Sequence, residues 1–284
     1  MSYVEPAAVV DAMVALGAKK AHLDRRTLVL RGAMGAMFLG AATTLALTAA
    51  VQTGAPVLGA MLFPVGFVIV LLLGLEMVTG SFAVVPLAVR EGRVRTGEML
   101  RAFWWVVVGH ALGGGLYALL FAAVVTEMWT TADAPVARAL VDLAVHKTLD
   151  HQALGGAGLV LVTVKAVLCN WLVGTGVVMG LTSTSTGGKI AAMWLPVMTF
   201  FALGFEHGVV NLFVIPAGML LGAPVGFGDW WLWNQLPVLA GNFLGALTLV
   251  AMAMSLAHPR GPAHTASPDG EPAGRPVTAA PARP

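Results

Sequence analysis

The sequence predicts an all-α membrane protein that crosses the bilayer several times, and three observations carry that expectation. Of 284 residues, 58% are hydrophobic and only 11% are charged, whereas a soluble globule carries roughly 25% charge. Long apolar runs recur along the chain, and a helix needs about 20 such residues to cross about 30 Å of hydrocarbon. No period-two alternation breaks these runs, and aromatic residues make up only 8%, which argues against a transmembrane barrel. The same numbers exclude other classes. So little charge is too little to keep a water-soluble enzyme in solution. A net charge of +2, with no basic stripe, excludes a nucleic-acid binder. The single cysteine, Cys169, excludes an intrachain disulfide framework and any cysteine-rich metal or iron–sulfur centre.

The chain divides into three parts. Residues 1–26 have no signal-peptide core. In them Val9, Met13 and Leu16 recur at helical spacing among Asp11, Lys19 and Lys20, which predicts a cytosolic amphipathic helix at the membrane interface. Residues 27–257 form the membrane domain, with six apolar segments: Thr27–Val51, Val57–Val89, Phe103–Val125, Leu154–Leu181, Ile190–Phe227 and Leu232–Leu256. Residues 258–284 contain seven prolines and almost no large apolar residue, so they read as a disordered tail. Placing both termini in the cytosol puts thirteen Lys and Arg residues inside and only Arg138 and Lys147 outside, with Lys165 inside the fourth span. That is a strong positive-inside bias, and the expected location is the inner or plasma membrane of the cell. Trp104, Trp105, Trp129, Trp194, Trp230, Trp231 and Trp233 fall near span ends and read as interfacial anchors.

Two segments have the wrong length. The second and fifth run for 33 and 38 residues, and a straight helix of that length is about 50 Å long or more. Two full crossings need about 40 residues plus a turn. A helix broken at membrane depth meets both limits, and such irregular backbone is tolerated only where it lines a cavity or is buried in protein. The punctuation agrees. Gly74-Leu75-Glu76 precedes Pro86, and Gly204-Phe205-Glu206 precedes Pro216, each proline twelve residues after its glycine. Gly109-His110-Ala111-Leu112-Gly113 likewise parallels Gly241-Asn242-Phe243-Leu244-Gly245. The matches therefore predict two three-span repeats, which an odd number of spans sets in opposite orientation. Inverted repeats with paired interrupted helices put a permeation site at the bilayer midplane.

These residues resemble a known family. Lys165-Ala-Val-Leu-Cys169-Asn170-Trp-Leu-Val173, Gly204-Phe-Glu206-His207-Gly-Val-Val-Asn211-Leu-Phe-Val-Ile-Pro216, Gly74-Leu-Glu76-Met-Val-Thr79-Gly80 and Pro237-Val-Leu-Ala-Gly241-Asn242-Phe-Leu-Gly245 are similar to signatures of the formate–nitrite transporter family. The resemblance covers about residues 5–257. It implies an aquaporin-like architecture and a homopentamer in which every protomer has its own pore for a small monovalent anion or its acid: formate, nitrite, hydrosulfide or a short carboxylate. It also implies that His207 and Thr79 face the passage. The outer constriction is then Phe63 and Phe200, and the inner one Phe67, Met77, Val78 and Val173. Val78 stands where the family usually has Phe, and Gly109-His110 where it usually has Gly-Asn. The family's outer-vestibule lysine corresponds to Lys147.

The chemistry follows from desolvation. Charge in mid-membrane costs roughly 2.5–3.5 kcal/mol at a helix centre. An anion between two apolar rings loses its water, and its pKa rises because burial disfavours the charged form. His207, with an intrinsic pKa of about 6.5, is then placed to donate a proton or a hydrogen bond, so protons are a partner as well. Glu76 and Glu206 read as structural carboxylates that accept from freed backbone amides or pair with a basic group. Asn170, Asn211 and Asn242 either satisfy broken-helix backbone or touch the permeant. Lys165 either pairs with Glu206 or draws anions inward. His110 reads as a packed polar residue near the cytosolic end of its helix, and His146, Lys147 and His151 as a solvated outer loop. No cofactor is implied. An enzyme is disfavoured by the lack of a nucleophile–base pair or of metal ligands near His207. A water- or glycerol-type channel also uses six spans and two half-helices, but the chain has no Asn-Pro-Ala loop.

Overall fold

The computed structural model describes residues 3–131 and 133–259. All but the first two residues of the proline-rich tail lie outside that range. The described chain is helical, and its β pairing is one isolated bridge between Tyr3 and Ser183. Ten helices follow in order: α1 (Pro6–Ala21), α2 (Arg25–Thr53), α3 (Pro56–Leu72), α4 (Val78–Arg90), α5 (Thr96–Val125), α6 (Pro135–Ala153), α7 (Gly156–Leu181), α8 (Thr186–Ala202), α9 (Gly208–Leu220) and α10 (Phe227–Ala257). The helices α2, α5, α7 and α10 are each long and apolar enough to cross a membrane. Their outward faces carry leucines and valines in the open, among them Leu112, Leu116, Leu120, Val124 and Val160, as expected of a surface that meets lipid or another apolar partner.

Local chemistry sets the helix ends. The Asp24 side chain caps α2 by accepting from the Thr27 N–H at 3.1 Å and from its hydroxyl at 2.6 Å, which satisfies a donor left orphaned at a helix start. At the ends of α3 and α8 the chain enters the left-handed region at Gly74 (φ 63°) and Gly204 (φ 64°). There the Leu75 N–H reaches back to the Val70 carbonyl at 2.9 Å, and the Phe205 N–H to that of Phe200 at 3.1 Å. This is the Schellman closure, with glycine at the left-handed position and an apolar residue after it. It gives the Gly-apolar-Glu frame a physical cause. Five non-helical residues follow in each case before the next helix begins, at Val78 and at Gly208.

The ten helices form two sets of five with matching contacts. Helix α1 packs on α4 as α6 packs on α9, and α2 packs on α5 as α7 packs on α10. The long pairs touch backbone to backbone. A Cβ on Gly113 would strike the Ala33 carbonyl, and one on Gly245 would strike that of Val167, which is the close approach that small residues allow between membrane helices. Two expectations need correction here. The apolar stripe of α1 is not laid on lipid: Val9, Val10, Met13 and Val14 are buried against α4. Residues 135–153 are not a solvated loop but α6, which buries Ala137, Leu140, Ala144, Lys147, Thr148 and His151 on one face.

Candidate functional site

The starts of α4 and α9 meet in the centre of the protein. His207 is the N-cap of α9, in extended backbone conformation (φ −113°, ψ 113°), and its Nδ1 accepts from the Val210 N–H at 3.3 Å. Met77 holds the equivalent place before α4 (φ −138°, ψ 114°). Its neighbour's neighbour, Thr79, brings Oγ1 within 2.9 Å of His207 Nε2. A backbone N–H can only donate, so Nδ1 is bare and the ring's hydrogen sits on Nε2, pointing at the Thr79 hydroxyl. Both residues are buried.

Apolar residues surround this pair. The Phe200 ring stacks on the His207 ring with centroids 5.5 Å apart, and Phe63 meets Phe200 edge-on at 5.6 Å. Phe201 stacks on Phe63 at 4.1 Å, a contact not expected from the sequence. Phe67 lies near Val197 and Gly176. Met77, Val78 and Val173 are buried, with Met77 reaching toward Gly80.

Asn170 and Asn242 bind backbone, and Asn211 binds other side chains. Asn170 Nδ2 donates to the carbonyls of Thr79 (3.0 Å) and Asn242 (2.8 Å). Asn242 Oδ1 accepts from the Gly208 N–H at 2.8 Å, while its Nδ2 donates to the carbonyls of Ala166 (2.8 Å) and Glu206 (2.9 Å). Asn211 donates to Glu206 and to Asn234 Oδ1, at 2.8 and 2.7 Å. The side-chain oxygens of Asn170 and Asn211 are buried without a hydrogen-bond partner.

Each interruption also carries a buried ion pair. Glu76 accepts from Lys20 of α1 at 2.7 Å, and Glu206 accepts from Lys147 of α6 at 2.9 Å. The side chains of Glu76 and Glu206 are 3% and 1% exposed, so neither carboxylate is left to be solvated by bulk water, and the pairing offsets their burial. Lys165 is not the partner of Glu206. Ala166, Cys169, Asn170 and Val173 form the buried face of α7, and a residue one position away from Ala166 is turned by about 100°, which leaves Lys165 half-buried. Beside the Lys20–Glu76 pair a cavity of about 250 Å³ is lined by Lys19, Lys20, Arg31, Lys189 and apolar residues of α3 and α7. Among the described residues no group of three His, Cys, Asp or Glu is arranged to hold a metal ion.

Four participants were not singled out from the sequence: Lys20, Asn234, Gln235 and Phe201. Asn234 Nδ2 donates to the Lys147 carbonyl at 2.9 Å and to Glu206 at 3.2 Å, and Gln235 Nε2 donates to the Gly208 carbonyl at 3.0 Å. Both sit at the π-helical stretch Trp231–Gln235, where the wider turn shifts side chains out of the 3.6-residue register.

The profile of the family described as Formate/nitrite transporter matches residues 7–256. A protein of Methanothermobacter thermautotrophicus named a probable formate transporter is 35% identical over 196 residues, covering 66% of this chain and 70% of that protein. A solved structure titled FNT family ion channel superposes with a TM-score of 0.75 at 21% identity, covering 88% of this chain and 99% of the other. A second, titled pentameric formate channel with formate bound, gives 0.68 at 20% identity, with coverage of 82% and 97%.

Proposed function

The chain belongs to the formate/nitrite transporter family, and from that premise we propose that it is a membrane channel for small monovalent anions, formate first among them, with its selecting site at Thr79 and His207. The observation that carries this reading is the 2.9 Å contact between those two side chains, made where two helix N-termini converge. Helix N-termini expose N–H groups and a partial positive charge, which favours an anion. The ion pairs support the same reading, because Lys20 and Lys147 cancel the carboxylates that would otherwise repel an anion.

In this reading α1–α5 and α6–α10 are inverted repeats, with six crossings and both termini in the cytosol. Five copies assemble, as in the structural relative titled pentameric, and each keeps its own passage through the cell membrane. Phe63 and Phe200 form the outer constriction; Phe67, Met77, Val78 and Val173 form the inner one. An anion that sheds water between them gains hydrogen bonds in exchange. The His207 Nε2–H is directed at the Thr79 oxygen, which leaves the hydroxyl hydrogen of Thr79 to turn toward the anion. The bare Nδ1 faces the Val210 N–H, so a second proton on the ring would set donor against donor. His207 therefore acts as a neutral hydrogen-bond donor.

The test is uptake of formate, nitrite, hydrosulfide and acetate into liposomes holding the purified protein, across pH, for the wild type and His207→Asn. Formate uptake by the wild type is expected, falling at least about tenfold in the variant, because Thr79 loses the Nε2–H that turns its hydroxyl hydrogen toward the anion. Formate uptake unchanged by His207→Asn would overturn the assignment.

A further inference from the structure

Helix α5 carries His110 behind the start of α4. The parallel between Gly109-His110 and Gly241-Asn242 aligns it with an asparagine of the other half, and the two side chains do the same work. Asn242 accepts from the N–H of Gly208, the first residue of α9, and donates to the Ala166 carbonyl of α7. His110 Nε2 accepts from the N–H of Val78, the first residue of α4, at 3.0 Å. Its Nδ1 lies 2.7 Å from the Gly32 carbonyl of α2, the counterpart of α7. A backbone N–H only donates and a carbonyl only accepts, so the partners fix the ring: the hydrogen is on Nδ1 and Nε2 is bare. His207 has the opposite arrangement. One imidazole thus holds the Val78–Thr79 turn from behind, while the other meets it from the front.

We propose that His110 is a positioning residue for the anion site. As its Nδ1–H tautomer it anchors the Val78 amide, and so keeps the Thr79 hydroxyl in register with His207, the task a carboxamide performs on the other half. The ring is fully buried, and a substituent that cannot accept leaves the Val78 N–H without a partner, letting the turn drift. The proposal rests on the channel reading for its transport consequence only; the tautomer involves no anion.

Two measurements test it on the full-length protein in lipid. The first is ¹⁵N solid-state NMR at pH 7 of histidine-labelled protein, with the His110 signals identified by their loss in His110→Asn. The expected spectrum has a protonated Nδ1 and an unprotonated, hydrogen-bonded Nε2. An Nε2–H ring, or one protonated on both nitrogens, overturns the proposal. The second is formate uptake into liposomes. His110→Asn keeps both hydrogen bonds and is expected to stay within about twofold of the wild type. His110→Leu fills much of the space but accepts nothing, and is expected to lower uptake by about tenfold or more, chiefly through a raised KM. Equal loss in a folded His110→Asn overturns the proposal. Should His110→Leu fail to fold, the spectrum and His110→Asn decide. A wild type that carries no formate at all would count against the channel reading, and the spectrum would still decide this one.

Discussion

The two halves of the molecule build the same junction with different amounts of bonding. In the first half, Glu76 is held by Lys20 and, at a longer 3.4 Å, by the Ser81 hydroxyl. His110 supplies one donor and one acceptor. In the second half, three donors converge on one oxygen of Glu206, from Lys147, Asn211 and Asn234, and Asn242 makes three bonds of its own. The first junction also borders a cavity of about 250 Å³. Hydrogen bonds that share a low-dielectric site reinforce one another, so the second junction is the more strongly tied, even with the Asn211 side-chain oxygen left without a partner. Matching backbones do not imply matching bonding: the α9 start is the more heavily bonded jaw and the α4 start the more sparsely bonded one.

The largest expected effect that would test this contrast is at Lys147. Lys147→Met leaves Glu206 charged and buried, a change that costs about 3–5 kcal/mol for a broken buried pair. It should appear as a large fall in the Tm of the purified protein, and an unchanged Tm would erase the distinction between the jaws. Lys20→Met removes the matching cation, yet water in the adjoining cavity can solvate Glu76. The expected cost is therefore smaller, about 1–2 kcal/mol, and the fall in Tm should be clearly less than for Lys147→Met. A reversal of that order would sink the comparison. The smallest effect concerns the long helices. Asp24 caps α2, whereas α7 starts at Gly155 without a side-chain cap. Hydrogen bonds from the Thr27 hydroxyl and N–H hold the Asp24 carboxyl below the usual carboxylate range. A folded-state pKa that is depressed gives stability present above the unfolded value and lost as pH falls through the folded one. Asp24→Ala should thus lower Tm slightly at pH 7, with the difference from the wild type shrinking as the solution is acidified below the ordinary aspartate range.

Much of this arrangement was legible in the sequence. The two Gly-apolar-Glu frames coincide with the two non-helical segments, because a left-handed residue followed by an apolar one is a helix-ending signal in its own right. Pairing with a basic group is one of the two expectations for Glu76 and Glu206, but Lys165, the partner weighed for Glu206, is not the one the fold supplies, and Lys20 is not expected for Glu76. Lys147 was hidden by its setting: Arg138, Asp142, His146, Asp150 and His151 give the stretch the charge density of a solvated loop. The signal was present in the spacing of Ala137, Leu140, Ala144, Thr148 and His151, which repeats every three or four residues and marks one face of a helix. The correspondence between α1 and α6 is hidden for the same reason, since both helices carry charged residues and neither is an apolar span. His110 was read as packing near a helix end. Its bond to Val78 joins residues 32 apart in sequence, and no local pattern reports such a contact.

The glycine contacts between the long helices have a mechanical consequence. With Gly113 against the Ala33 carbonyl and Gly245 against that of Val167, neither contact has room for a Cβ, so even alanine at either place would push the paired helices apart.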